Sequence, residues 1–388
     1  MPLLLRCERG KAKEYALTRF LIVLSMLTLI ACEQRGHISY APVSAVTGPI
    51  ETVYVGSTRQ VDPETRTFGN GRSETPGFGR FDVAIPPQRK LGEIHWPSRG
   101  RPADPATDFV TTSAEMFPDA AAFRRSLHDH LAHAPKGARE VTIFVHGYNS
   151  NFSEGLYRIA QLKHDLELPG VALHYSWPSA ATPFGYVYDR DSALFARAGL
   201  VALIHEAQAA GADRIYLVAH SLGSGLTMEA LRTLTLEGDH AAFADIAGVI
   251  LISPDIDVDV FRSQAHDIGA LPQPFVIFGS SKDKALNLSA RLTGQTDRLG
   301  SMKDVSKVAD LNVTVLDVAA FNEGDSHFIL GSSAALIKLL GNINAVNAAF
   351  EADRENRIGL LPGLVLTVQK ATLIVLSPVV SLAEVTQR

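Results

Sequence analysis

From about residue 140 onward, short apolar runs alternate with longer helical patterns, and few folds accommodate that rhythm. The strand candidates are 141–145, 171–176, 215–219, 249–252, 275–278 and 313–318. Helical patterns at 153–166, 192–209, 222–234, 285–292 and 329–340 fall among and after them. Strand followed by helix, repeated, predicts a mostly parallel central sheet with helices on both faces. Upstream, residues 51–110 are rich in Gly and Pro and carry short strand-like runs at 52–55 and 80–85. Asp119 then stands as the N-cap of a helix running to Leu131. No internal repeat or heptad pattern accompanies these elements.

One strand–helix junction carries more than packing. In Arg214-Ile-Tyr-Leu-Val-Ala-His-Ser-Leu-Gly-Ser-Gly225 an apolar run stops at a His-Ser pair. A helical spacing of Leu222, Leu226, Ala230, Leu231 and Leu234 opens at once. A serine on a sharp turn between strand and helix is the pattern of a nucleophile elbow. Its usual Gly-x-Ser-x-Gly reads here Ala219-His-Ser-Leu-Gly223. Small residues two before and two after the serine keep side chains out of the adjoining helix and strand. Ala for the first Gly adds one methyl group.

A serine hydroxyl needs a base, and the base needs an acid to orient it and to stabilise its charged form. With this elbow the chain order is serine, acid, histidine. Asp283, just past the run 275–278, is the preferred acid; Asp255, at the end of the preceding run, is the rival. Either carboxylate suits a turn or helix cap equally well, as do Asp257 and Asp259, and no Gly stands where a calcium loop requires one. Past Asp283 there is one histidine, His327, just before the last helical pattern. An oxyanion requires preformed N–H donors. Leu222 supplies one, and Tyr148, in Val145-His-Gly-Tyr-Asn149, supplies the second. His146 is read as a structural tie and His220 as a wall. The aromatics of 177–188 serve as pocket rim or as core.

The first thirty-one residues are expected to be a secretory signal. Arg6, Arg9, Lys11, Lys13 and Arg19 precede an apolar stretch at 20–30. That stretch is shorter than the roughly 20 residues needed to span a bilayer. It ends in Leu29-Ile-Ala-Cys32, which resembles a bacterial lipobox and implies lipidation of Cys32. By the same resemblance Glu33 points to the outer membrane, periplasmic face. Cys7 and Cys32 are the two cysteines, so loss of the signal leaves no disulfide pair. The net charge of −5 argues against a nucleic-acid partner. The expected organisation is a signal at 1–31, a tether at 32–50, an N-terminal strand-rich extension at 51–135, a core at 136–345 and an apolar tail at 346–388. For that tail a membrane-surface helix pair, a dimer contact and a flap on the core are all compatible with the pattern, and packing on the core or a contact is preferred; Lys370 and two prolines argue against a spanning helix.

Together the segments resemble a family of uncharacterised bacterial α/β-hydrolases, esterase/lipase-like and including lipoproteins. The matching pieces are Val55-Gly-Ser-Thr-Arg59, Phe81-Asp-Val-Ala-Ile-Pro-Pro87, Val145-His-Gly-Tyr-Asn149, Tyr175-Ser-Trp-Pro-Ser179, Tyr188-Asp-Arg-Asp191, Ala219-His-Ser-Leu-Gly223, Pro254-Asp-Ile-Asp257 and Ser281-Lys-Asp-Lys-Ala-Leu286. The resemblance spans about 51–345 and implies an α/β-hydrolase fold and ester hydrolysis in general terms. The expected activity is cleavage of a small-molecule or lipid carboxylic ester through an acyl-enzyme on Ser221, His327 and Asp283, at a cell envelope membrane. Thioester or amide cleavage keeps the same residues. The competing expectation is a non-catalytic envelope lipoprotein that binds or scaffolds. No cofactor or metal is expected: His-Glu-x-x-His and a glycine-rich phosphate loop are both missing from the sequence.

Overall fold

Among the described residues eleven strands hydrogen-bond into one sheet. The computed structural model describes residues 35–98, 100–294, 297–302, 304–321, 327–340, 363–368 and 371–376. The expected signal and Cys32 lie outside the described residues. Met1–Gly36 and His37–Arg388 are separate compact units, and every strand and helix named below belongs to the second.

The strands are β1 (Ile50–Val61), β2 (Phe68–Ala84), β3 (Val110–Phe117), β4 (Glu140–Val145), β5 (Val171–Ser176), β6 (Arg214–His220), β7 (Ile246–Ile252), β8 (Phe275–Gly279), β9 (Thr314–Asp317), β10 (Gly363–Val368) and β11 (Ala371–Leu376). Their spatial order is β10-β11-β9-β8-β7-β6-β4-β5-β1-β2-β3. From β1 across to β11 each neighbouring pair is parallel, and β2, β3 and β10 are antiparallel additions at the two edges. The N-terminal strands therefore enter the main sheet, three in number rather than the expected two. In the tail, β10 and β11 form a two-stranded addition beside β9. Among the expectations for that stretch, packing on the core fits; a helix pair does not. Among the described residues no helix is long and apolar enough to cross a membrane.

The helices are α1 (Ala120–Leu131), α2 (Phe152–Asp165), α3 (Tyr186–Ala209), α4 (Leu222–Leu236), α5 (His240–Ala244), α6 (Val258–Ile268), α7 (Lys284–Leu292), α8 (Ile329–Ser332) and α9 (Ala334–Leu340). Asp119 caps α1 by accepting from Ala122 N–H. Asn151 and Glu154 close a capping box on α2. The pattern at 329–340 resolves into two short helices, α8 and α9. Helix α6 has no counterpart among the expected helices; Asp257 caps it, accepting from the N–H groups of Asp259 and Val260.

Alternating residues of the central strands divide the core in two. Ile143 and Val145 of β4, with Leu217 and Ala219 of β6, face Leu200 and Leu203 of α3 and Leu226 and Leu231 of α4. Phe144 and Val218, on the opposite face, belong with Leu156 and Ile159 of α2. Burial on both faces is what permits a parallel sheet. It leaves the carboxyl ends of β4, β6, β7 and β8 as the place where loops converge and a ligand can sit.

Candidate active site

Strain marks that end of the sheet. Among the described residues six non-glycines have positive φ, and Asn149, Ala181, Ser221 and Ser253 lie in the loops and turns that follow β4 to β7. Ser221 has φ 53° and ψ −123°. A non-glycine held in such a region costs on the order of 1–3 kcal/mol and persists only where its surroundings fix it. Here they do. Ser221 N–H donates to Ile252 O at 3.0 Å, and its carbonyl accepts from Ser224 N–H at 3.0 Å and Asp255 N–H at 3.2 Å.

Two glycines let the loops close on this turn. A Cβ on Gly223 would lie 2.3 Å from His146 O and 2.7 Å from Val145 O. A Cβ on Gly147 would lie 2.8 Å from Ser221 Cβ and 2.6 Å from His220 Nδ1. The loop after β4 thus presses directly against Ser221, with Tyr148 next in line. Among the described residues no acceptor takes up the N–H of Tyr148 or of Leu222. Donors left open beside a hydroxyl are what an oxyanion requires.

Asp283 follows β8 and is fully buried. One carboxylate oxygen caps α7, accepting from Leu286 N–H at 3.0 Å. The other lies 2.8 Å from His327 Nδ1. One side chain thus caps α7 and meets His327. The His327 ring packs 4.8 Å, centroid to centroid, from that of His220, the residue preceding Ser221. His220 also meets Phe328 edge-on at 4.5 Å, and its Nε2 lies 3.3 Å from His327 O. Burial, then the neighbouring His327, holds the His220 pKa well below the ordinary histidine value. His220 therefore stands as a neutral wall that places His327 beside the elbow.

Asp255 is committed elsewhere. Its carboxylate accepts from Ser289 Oγ at 2.7 Å and from Tyr186 Oη at 2.9 Å, and lies 3.2 Å from Arg298 Nε. Burial and this carboxylate push the Tyr186 phenol up to about 12, so it stays a donor. Asp255 ties α3 to α7, and the structure brings Asp283, not Asp255, to His327.

His146 is fully enclosed. Its Nδ1 lies 2.9 Å from Gly147 O and its Nε2 3.0 Å from Trp177 O, while Trp177 Nε1 donates to His146 O at 2.7 Å. Burial and then Arg59 hold its pKa well below the ordinary value. Of the aromatics in 177–188, Trp177 is core, stacked on His146 at 4.8 Å, whereas Phe184 is almost wholly exposed. Tyr148 donates from its phenol to Pro183 O and meets Tyr186 edge-on at 5.4 Å. Among the described residues no group of three His, Cys, Asp or Glu is placed to hold a metal ion.

A parallel sheet with a strained serine between strand and helix defines the class: this is an α/β-hydrolase fold. The chain belongs to the family described as alpha/beta hydrolase of unknown function (DUF900), whose family model matches residues 119–342. Among solved structures it is similar to lipase B of Aspergillus fumigatus, at 13% identity and a TM-score of 0.28 over 38% of this chain and 39% of that one. It is also similar to a fungal esterase from Rhizomucor miehei, at 13% identity and a TM-score of 0.36 over 79% and 86% of the two chains. A third likeness is to esterase B from Lactobacillus rhamnosis, at 14% identity and a TM-score of 0.33 over 69% and 92%. With TM-scores this low, none of them bears on the chemistry of this site. No curated protein matches the chain.

Proposed function

We propose that this α/β-hydrolase-fold protein is a serine hydrolase that cleaves a carboxylic ester through an acyl-enzyme. Ser221 Oγ attacks the carbonyl carbon while His327 takes its proton. Asp283 holds the His327 tautomer through Nδ1 and stabilises the imidazolium as it forms. The N–H groups of Tyr148 and Leu222 receive the oxyanion. His327 returns the proton to the leaving alcohol, and water repeats the sequence to release the acid. The observation that carries the reading is the 2.8 Å contact of a buried Asp283 with His327, whose ring packs on His220, the residue before the strained Ser221.

A fluorophosphonate probe tests it. Wild-type protein is expected to label, and Ser221→Ala is not. Folded wild-type protein that neither labels nor hydrolyses p-nitrophenyl esters of any chain length overturns the reading. We further propose export and tethering to a bacterial envelope membrane through lipidated Cys32; mass spectrometry of the mature N-terminus is expected to find an acylated cysteine.

A further inference from the structure

Four of the segments that carry the family resemblance meet at one place that the proposed chemistry does not use. Asp189, in the first turn of α3, is fully buried. Its Oδ2 accepts from Asn149 N–H at 3.0 Å and from Ser179 Oγ at 2.6 Å, and its Oδ1 accepts from Ala180 N–H at 2.6 Å. Arg59, at the far end of β1 and 1% exposed, reaches the same loops from the other side. Its Nη2 donates to Ser150 O at 2.8 Å and its Nη1 to Ser179 O at 3.2 Å. Ser150 N–H in turn donates to Ser179 Oγ at 3.2 Å.

The two residues that follow Tyr148 are therefore clamped by buried charged groups. Asn149 is also the loop residue with φ 55°, a conformation its backbone would leave if released. The peptide joining Tyr148 to Asn149 is the one whose N–H Asp189 grips. That bond fixes ψ of Tyr148 and φ of Asn149; its loss lets the Tyr148 Cα shift, and with it the Tyr148 N–H in the preceding peptide, next to the Gly147 that closes on Ser221. Charge-assisted hydrogen bonds are the stronger kind, and in a dry site they fix geometry closely.

We propose that Asp189 is the positioning residue of the oxyanion hole, holding Asn149 in its left-handed conformation so that Tyr148 N–H stays aimed at the tetrahedral intermediate. The proposal rests on the acyl-enzyme reading of Ser221, His327 and Asp283. Asp189 touches no reacting atom. Its effect falls on the transition state and not on ground-state binding, because the oxyanion exists only there.

The test is Asp189→Asn in the full chain, assayed on p-nitrophenyl butyrate with active sites counted by fluorophosphonate titration. Asparagine keeps one acceptor oxygen and sets an N–H against the remaining donors. The expected result is a kcat per active site about 10- to 100-fold below wild type, with KM within about threefold. Affinity for a trifluoromethyl ketone, whose adduct carries an oxyanion, is expected to fall in step with kcat/KM. A residue that merely holds the fold would lower the titrated fraction and the thermal midpoint, and leave the rate per site alone. Should Asp189→Asn not fold, Ser179→Ala removes one of the Asp189 bonds, and a fall of about three- to tenfold per site is expected. An unchanged kcat per site in the folded variant, with Ser221→Ala inactive, overturns this inference and leaves the acyl-enzyme reading standing. A wild-type protein inert to ester and probe overturns both.

Discussion

Asp283 Oδ2 lies 2.8 Å from His327 Nδ1, while its Oδ1 caps helix α7 through Leu286 N–H at 3.0 Å. One buried carboxylate thus fixes a helix end and an imidazole together. The rival acid, Asp255, is turned toward Ser289, Tyr186 and Arg298.

This division of labour predicts opposite outcomes for two similar substitutions. Asp283→Asn keeps the cap, since asparagine caps helices well, yet it presents the wrong group to Nδ1. Turnover is expected to fall about 10³- to 10⁴-fold with little change in stability. Asp255→Asn leaves Arg298 without its buried counter-charge and is expected to lower stability by up to about 3–5 kcal/mol. Turnover per folded molecule should stay near that of wild type. Ester kinetics and urea unfolding on both variants check this, and loss of turnover confined to Asp255→Asn reverses the assignment.

The backbone at Ser221 predicts a trade between stability and activity. Glycine adopts φ 53°, ψ −123° without the steric cost that serine bears. Ser221→Gly is expected to stabilise the fold by about 1 kcal/mol while abolishing turnover. Ser221→Ala, which keeps the Cβ, should abolish turnover without that gain. Calorimetry on the two variants separates hydroxyl loss from strain release. Equal thermal midpoints would mean that the strain at this turn is no larger than the chain entropy that glycine costs.

The parts legible in the sequence are those where one chain segment carries its own signal. The runs at 141–145, 171–176 and 215–219 form β4, β5 and β6 within a residue or two, because strands buried on both faces must be apolar throughout. Strand β2 reads in sequence as mostly loop: Gly69, Gly71, Gly77, Gly79 and Pro76 fall within it, and its first half is held mainly by irregular pairing with β1. Helix α3 begins six residues before the pattern at 192, since Val187 and Tyr188 are exposed rather than set on an inward apolar stripe and Asp189 is spent on other loops. Ser221, Asp283 and His327 are readable because strand order fixes their sequence. The Arg59–Asp189 cluster is not, since its bonds join four distant segments and no single segment shows why its polar residues are there. The recurrence of those segments in the family resemblance is the available signal.

Acid stability follows from three histidines at this end of the sheet. Burial holds His146 and His220 well below the ordinary value and brings His174 down to about 3, with Arg59 adding to the effect on His174. Among the described residues neither ring nitrogen of His174 has a hydrogen-bond partner; the ring lies between Phe144 and Phe152, at 6.1 and 6.2 Å. An imidazole depressed in the folded state is protonated first in the unfolded chain. Below about pH 6.5 the unfolded state therefore binds protons that the folded state refuses, and stability falls as pH falls, for His174 down to about pH 3. Each such group contributes a slope of about 1.4 kcal/mol per pH unit within its window. His174→Leu removes one of the three. At pH 7 the variant is expected to lose about 1–3 kcal/mol through imperfect packing. Between pH 6 and 4 its stability should decline less steeply than that of wild type, by about 1.4 kcal/mol per unit. Urea unfolding at a series of pH values reads the two slopes directly, and parallel curves would mean that His174 already takes up its proton in the folded protein.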